Sequence, residues 1–149
     1  MERAEKIVQI EDVGYYYFFR EDSIINETYN IRKLDALEAR YQRMKYLEKY
    51  PEIYGVAKRQ LVFNCMYHYQ KGLRFLSGSD LKKLKSKVKA IYKDISIDKN
   101  DIKEYTKKDP LVAKLYEWVT DQFDNGRITM ISDAEMEEQI ATLCKAQDL

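Results

Sequence analysis

The chain has 149 residues, of which 45% are apolar and 34% are charged. This composition is typical of a globular protein and excludes a wholly disordered chain, and the length is sufficient for one domain with its own core. Lysine and arginine together number 26 and the acids 25, giving a net charge of +1. The balance argues against a whole-surface field that would attract nucleic acid or membrane, and it leaves only local patches.

The sequence also indicates a compartment. The two cysteines, Cys65 and Cys144, lie far apart, and the charged start Met1–Lys6 has no signal-peptide pattern. No stretch reaches the roughly 20 apolar residues that a membrane span needs. We therefore expect a cytoplasmic protein, with the inner face of the membrane as the alternative and any membrane contact peripheral.

The first 28 residues differ from the rest of the chain. Lys6–Ile10 alternates and is β-branched, which favours a strand. The aromatic run Tyr15–Phe19 favours an extended conformation, because a helix would display these rings around its whole circumference. A polar loop, Arg20–Ser23, follows. This start predicts a short β-hairpin or strand pair.

Helical periodicity begins at Asn30, and five helices are predicted from caps, stops and apolar spacing. They run from Asn30 to near Tyr50, from Pro51 to about Phe75, from Leu81 to about Tyr92 behind a Ser79–Asp80 cap, from Pro110 to Asn125–Gly126, and from Ser132 through Leu143. The expected fold is thus mainly α: a short N-terminal β-hairpin followed by a bundle of about five helices.

Three regions follow from this pattern. Residues 1–28 form the strand-rich start, 29–95 a three-helix core, and 96–149 a linker plus a two-helix tail. The apolar stripes of the last two helices include Trp118 and Phe123, which an isolated tail would leave in water. We expect these helices to pack on the second helix or on another copy of the chain, which makes them candidates for homo-oligomerisation.

One segment carries a family resemblance. Val13–Ile24 ends an aromatic strand in Arg-x-x-Ser-Ile, and a leucine- and arginine-rich helix containing Leu34–Arg40 follows it. This arrangement is similar to the late part of many bacterial family 2 glycosyltransferases, which transfer a sugar from a nucleotide sugar in cell-surface polysaccharide synthesis. The resemblance covers roughly residues 1–93, and residues 96–149 add nothing to it.

The resemblance implies roles for four side chains. Arg20 and Ser23 would contact the diphosphate of the donor or the acceptor, since a guanidinium and a hydroxyl both donate hydrogen bonds to phosphate oxygens. Tyr15 and Tyr17 would share one face of the strand and line the acceptor side. The residues alone also allow a surface arginine paired with a neighbouring acid, and tyrosines that pack on the core.

The departures from the family pattern are substantial. The strand–helix donor domain, its Asp-x-Asp metal site and its acidic base have no counterpart in this sequence, and Asp98 and Asp101 are expected to be solvated acids in a lysine-rich linker. A divalent cation and the nucleotide sugar would belong to that catalytic half. We therefore expect no catalytic residues, no metal site and no sugar transfer by this chain alone, with a nucleotide sugar or glycan acceptor as its partner. The alternative is a non-enzymatic helical module for protein–protein interaction or oligomerisation.

Two further patterns bear on function. Cys65 and His68, at i and i+3, cannot complete a zinc site without two more ligands, so a buried cysteine beside a hydrogen-bonded histidine is expected. The lysine-dense stretch 82–93, with Arg74 and Phe75, would suit an anionic membrane surface, but a run of charges usually marks a solvated helix face, and that is the favoured interpretation. No nucleic-acid motif is present.

Overall fold

The computed structural model describes residues 28–97 and 110–147, with side chains described as far as Thr142. Within these ranges the chain is mainly helical, with five α-helices and no strand. The helices are α1 (Leu34–Tyr46), α2 (Pro51–Phe75), α3 (Gly78–Ile95), α4 (Pro110–Asp124) and α5 (Asp133–Gln147), and short 3₁₀ turns (Ile31–Lys33 and Leu47–Lys49) flank α1. The predicted β-hairpin lies outside the described residues. The mainly helical class is confirmed.

Local signals account for the ends of the first two helices. The side chain of Asn30 accepts a hydrogen bond from the backbone N–H of Arg32 at 3.0 Å, so it caps the first turn as predicted. Pro51 begins α2, since proline at the first helical position has no backbone N–H to leave unpaired. The predicted limits of α2 are those observed.

The predicted start of α3 was wrong. The helix begins at Gly78, and Ser77, not Ser79 or Asp80, occupies the N-cap position, where its side chain makes no capping hydrogen bond. Gly78 has a φ of 56°, a left-handed conformation that glycine adopts without steric cost, and this lets the chain reverse directly after α2. The two helices then pack closely, because Gly72 of α2 faces Leu84 of α3 with no side chain between them.

α1 and α3 lie side by side and run in the same direction. Glu38 pairs with Lys87, and Lys45 pairs with Asp94 at 2.7 Å, so residue numbers rise together along both helices. The Tyr41 hydroxyl donates a further hydrogen bond to Asp94 at 2.9 Å. These contacts fix one face of α1 against α3.

α4 packs on α2 with most of the apolar side chains expected from its spacing. Val119 is buried, and Leu115, Trp118 and Phe123 pack against the core, whereas Leu111 is 65% exposed. Val112, Ala113 and Tyr116 are buried as well. The Tyr116 ring meets Phe63 of α2 edge-on at 5.6 Å. α4 extends the core that the first three helices form. It therefore packs on the second helix, which is one of the two arrangements expected for the last two helices.

The connection between α4 and α5 is clamped to α2 by two polar side chains. Gln70, which is 1% exposed, donates to the carbonyl of Thr129 at 2.6 Å and accepts from the N–H of Ile131 at 3.0 Å. Arg74 donates to the carbonyl of Ile131 and pairs with Asp133 at 3.0 Å. α5 then begins with the predicted Ser132–Glu135 capping box.

In that capping box the Ser132 hydroxyl oxygen accepts from the N–H of Glu135 at 3.2 Å. The Glu135 carboxylate accepts in turn from the N–H and the hydroxyl of Ser132, each at 2.7 Å. These bonds satisfy backbone N–H groups that the first turn of a helix otherwise leaves unpaired.

Candidate binding groove

A groove runs between α1 and α2 on the side away from α3, and we call it the α1/α2 groove. It consists of two adjoining cavities of about 240 and 480 Å³ that share Arg40 and Asn64. α1 and the 3₁₀ turns on either side of it supply Lys33, Ala36, Arg40, Arg43 and Leu47 to one wall, and α2 supplies residues between Ile53 and Phe75 to the other. Thr28 and Tyr29 close one end of the groove.

The wall contributed by α2 exposes apolar side chains along its length. Ile53, Val56, Tyr67 and Phe75 are 45%, 43%, 37% and 48% exposed. Their spacing places them on one side of the helix, since three to four residues make one turn. This side stays open because the other faces of the second half of α2 contact α1, α3, α4 or α5.

The first half of α2 is more open than its apolar sequence suggests. Ile53 and Val56 are exposed and line the groove instead of entering the core. The buried residues of α2 begin at Leu61 and continue through Gly72.

The charges that line the groove are all positive. Arg40, Arg43, Lys33 and Lys71 contribute to its walls, and no carboxylate does so among the described residues. The Lys71 ammonium lies 5.8 Å from the centre of the Tyr67 ring and 5.5 Å from that of Phe75, within cation–π range of both. An apolar floor beside cations suits a ligand that is both anionic and apolar.

A buried polar pair lies at the end of the groove near Thr28. The Tyr29 hydroxyl and Nδ1 of His68 share a hydrogen bond at 2.7 Å. Burial, together with the positive charge of Arg40, lowers the pKa of His68 to about 4, and burial raises the pKa of Tyr29. His68 is therefore neutral at pH 7, and the pair is a fixed neutral anchor for the chain where it enters α1.

The four residues predicted to contact substrate, Arg20, Ser23, Tyr15 and Tyr17, lie outside the described residues. The predicted linker acids Asp98 and Asp101 lie outside them as well. What the structure does locate is the chain that follows the Arg-x-x-Ser loop, because Thr28 and Tyr29 line the groove.

Cys65 and His68 do not form a reactive pair. Cys65 is buried in the core, and burial raises the pKa of its thiol, while His68 is hydrogen-bonded to Tyr29. Within the described ranges, no three His, Cys, Asp or Glu side chains are grouped so that they could hold a metal ion.

The lysines of α3 are distributed over its outer side. Lys82, Lys83, Lys89 and Lys93 are exposed, and the apolar stripe Leu84, Val88, Ile91 and Ile95 is buried against the other helices. An interfacial membrane helix inserts its apolar face into lipid, and in α3 that face is already in the core. Across the described part of the chain, no helix is both long enough and apolar enough to span a bilayer.

Comparison with known proteins adds no relative. No family profile, no curated protein and no solved structure matches this chain.

The sequence contains no motif that predicts the groove. Its apolar spacing predicts which side of each helix is apolar, and the apolar side of α2 that stays exposed is not distinguished by it from the side that is buried. A sharper signal was present in the spacing of Lys33, Arg40 and Arg43, which places all three near one side of a helix.

Proposed function

We propose that this chain is the C-terminal helical portion of a family 2 glycosyltransferase-like protein, which carries the Arg-x-x-Ser loop of a donor or acceptor site and transfers no sugar alone. The observation that carries the proposal is the resemblance of Val13–Ile24 and the helix after it to that family. The catalytic half, with its divalent cation and nucleotide sugar, would be supplied outside this sequence.

The geometry supports a positioning role for the helices. A loop that closes on a diphosphate must be held at its ends, because misplacement of a phosphate-binding group weakens the contact it makes. Tyr29, five residues after Ile24, is tied to the middle of α2 by its hydrogen bond to His68, and Asn30 caps the first turn of the helical body. The helical body thus holds Tyr29, six residues after Ser23 in the sequence.

The charge of the groove supports an anionic ligand at the same end of the molecule. Lys33, Arg40 and Lys71 border the cavity that Thr28 and Tyr29 close. We expect these cations, with Arg20, to attract a diphosphate or an acidic acceptor. In this proposal the protein is cytoplasmic, and it would meet a lipid-linked acceptor at the inner face of the membrane.

Titration calorimetry with nucleoside diphosphates and sugar nucleotides, in the presence of manganese, tests the proposal. We expect the wild-type chain to bind, and Arg20→Ala to weaken binding by roughly 10- to 100-fold, the usual effect of losing a charge-assisted hydrogen bond. Arg127→Ala is the matched control, because it removes the same charge from an exposed position after α4. Equal binding by the two variants, or none by the wild type, would reject the role of the loop.

The second candidate is a non-enzymatic interaction module. The observation that favours it is the row of exposed apolar side chains on α2, since contiguous apolar surface beside polar residues is typical of protein-binding sites. A chain that binds no nucleotide but self-associates or captures a partner through this row would support this function instead.

A further inference from the structure

The outer face of α5 has the opposite character to the α1/α2 groove. Glu137 and Glu138 are exposed and form no ion pair with any described residue, whereas Asp133 pairs with Arg74 and Glu135 serves the capping box. Met130, in the connection before α5, is 60% exposed, and Ile140 lies on the inner side of α5 with Met136. α5 therefore presents exposed carboxylates, which the described lining of the groove lacks.

The two surfaces adjoin on one side of the molecule. Tyr67 lines the α1/α2 groove, and it also lines a small apolar cavity between α2, α4 and α5, together with Ile140. α5 begins beside Arg74 and reaches Phe63 and Tyr67 at Ile140, so it runs antiparallel to α2. α5 and the α1/α2 groove thus lie next to each other along α2.

We propose that the chain forms a two-fold symmetric homodimer in which α5 of each copy lies in the α1/α2 groove of the other. The inference rests on the second candidate function, the interaction module, because one groove cannot hold both α5 and a diphosphate. The 15 residues of α5 span about 22 Å, and the open row of α2 from Ile53 to Phe75 spans about 33 Å at 1.5 Å per residue. The groove is therefore long enough to take the helix.

Two-fold symmetry follows from the adjacency of the two surfaces. When α5 of one copy enters the groove of a second, a two-fold axis near Tyr67 brings the second α5 to the first groove. Both contacts then form at once and the assembly closes, whereas surfaces on opposite sides of a molecule would build open chains. Each contact brings Glu137 and Glu138 towards Arg40 and Arg43.

A second copy suits the groove better than a lipid surface does. The groove is concave and its apolar side chains lie along a helix wall, while a bilayer presents a plane. The acids that complement the cations of the groove are present on the chain itself, at Glu137 and Glu138 of α5.

Charge reversal in the full-length chain tests the proposal. We expect the wild type to sediment as a dimer whose dissociation constant rises with salt, since salt screens the contributing charges. Arg40→Glu with Arg43→Glu, and separately Glu137→Lys with Glu138→Lys, should each weaken the dimer by at least about tenfold, because each reversal acts twice in a two-fold assembly. All four residues are exposed, so circular dichroism should show an unchanged fold.

Mixing the two reversed variants is the decisive measurement. In a heterodimer of one with the other, the acidic groove meets a basic α5 and the basic groove meets an acidic α5, so both contacts are attractive again. We expect the equimolar mixture to dimerise while each variant alone is monomeric. Lys82→Glu with Lys83→Glu, which makes the same charge change on α3, is the matched control and should dimerise as the wild type does.

Three results would overturn the proposal. A wild type that remains monomeric at all accessible concentrations has no such interface. A dimer that tolerates both reversals, or a mixture of the two variants that stays monomeric, would show that the groove and α5 do not meet. Loss of the dimer in the α3 control would place the interface on the lysine face of α3.

Discussion

Replacing Gln70 with leucine tests how firmly the last helix is held to the core. The amide of Gln70 donates to the carbonyl of Thr129 and accepts from the N–H of Ile131, and both bonds join α2 to the connection before α5. Leucine has a similar volume and fills the site without a large cavity, so the two hydrogen bonds are what the substitution removes.

The magnitude follows from those two bonds. Each contributes about 0.5–1.5 kcal/mol net, so their loss should lower the free energy of unfolding by about 1–3 kcal/mol. The lower part of this range is favoured because Thr129 is exposed and water can reach its carbonyl once the amide is gone. Arg74 still holds the connection through Ile131 and Asp133, so α5 should loosen without detaching.

Urea denaturation and limited trypsin digestion measure the two consequences. Arg127 is exposed in the same connection, so cleavage after it reports how often the segment opens. An opening that is 1–3 kcal/mol easier raises the cleavage rate roughly 5- to 150-fold when opening is faster than cleavage.

Gln42→Leu is the matched control for this substitution. Gln42 is exposed and bonds only within α1, to Glu38 at 2.7 Å. If Gln70→Leu had the same urea midpoint and the same trypsin cleavage rate as this control, the two hydrogen bonds of Gln70 would contribute nothing to stability.

The remaining predictions concern three other contacts. Ser132→Ala should lower the free energy of unfolding by about 1 kcal/mol, because it removes the capping bond to Glu135; an unchanged urea midpoint would contradict this. Gly72→Ala should destabilise by about 0.5–2 kcal/mol, since its Cβ would lie 2.7 Å from Leu84 and the overpacking exceeds the gain in helix propensity; a more stable variant would show that Leu84 can move aside. His68 has a pKa of about 4 in the folded chain against an unfolded value of 6.5, so the unfolded chain takes up the proton first as pH falls. Stability should drop by up to about 3 kcal/mol between pH 6.5 and pH 4 in urea titrations, and His68→Gln should lack that part of the loss.

The starts of helices that carry a strong local sequence signal were predictable. Proline opens α2 and α4, and the Ser132–Glu135 pattern opens α5, because each of these signals acts through backbone groups within one turn. The start of α3 was not predictable in this way. Its start depends on the left-handed conformation of Gly78. Ser77 and Ser79, on either side of that glycine, are equally suitable N-cap residues by residue type.

The side chains that join distant parts of the chain had no local signal. Gln70 is a single polar residue in an apolar helix, and its partners are 59 and 61 residues away. His68 likewise meets Tyr29 across 39 residues. The spacing of a helix predicts which residues share a face, but the face that becomes core depends on which other helices pack there.

α1 shows how the neighbours decide the roles of its charges. Its side towards α3 carries Glu38 and Lys45, and both are paired there with Lys87 and Asp94. Its side towards the groove carries Arg40 and Arg43, which form no ion pair with a described carboxylate and stand beside exposed apolar residues of α2. Exposed arginines of this kind contribute little to folding on their own. Their reversal should therefore leave stability nearly unchanged while it alters binding. A variant with Arg40→Glu and Arg43→Glu that unfolds at the wild-type urea concentration but no longer self-associates would separate the two effects within one helix.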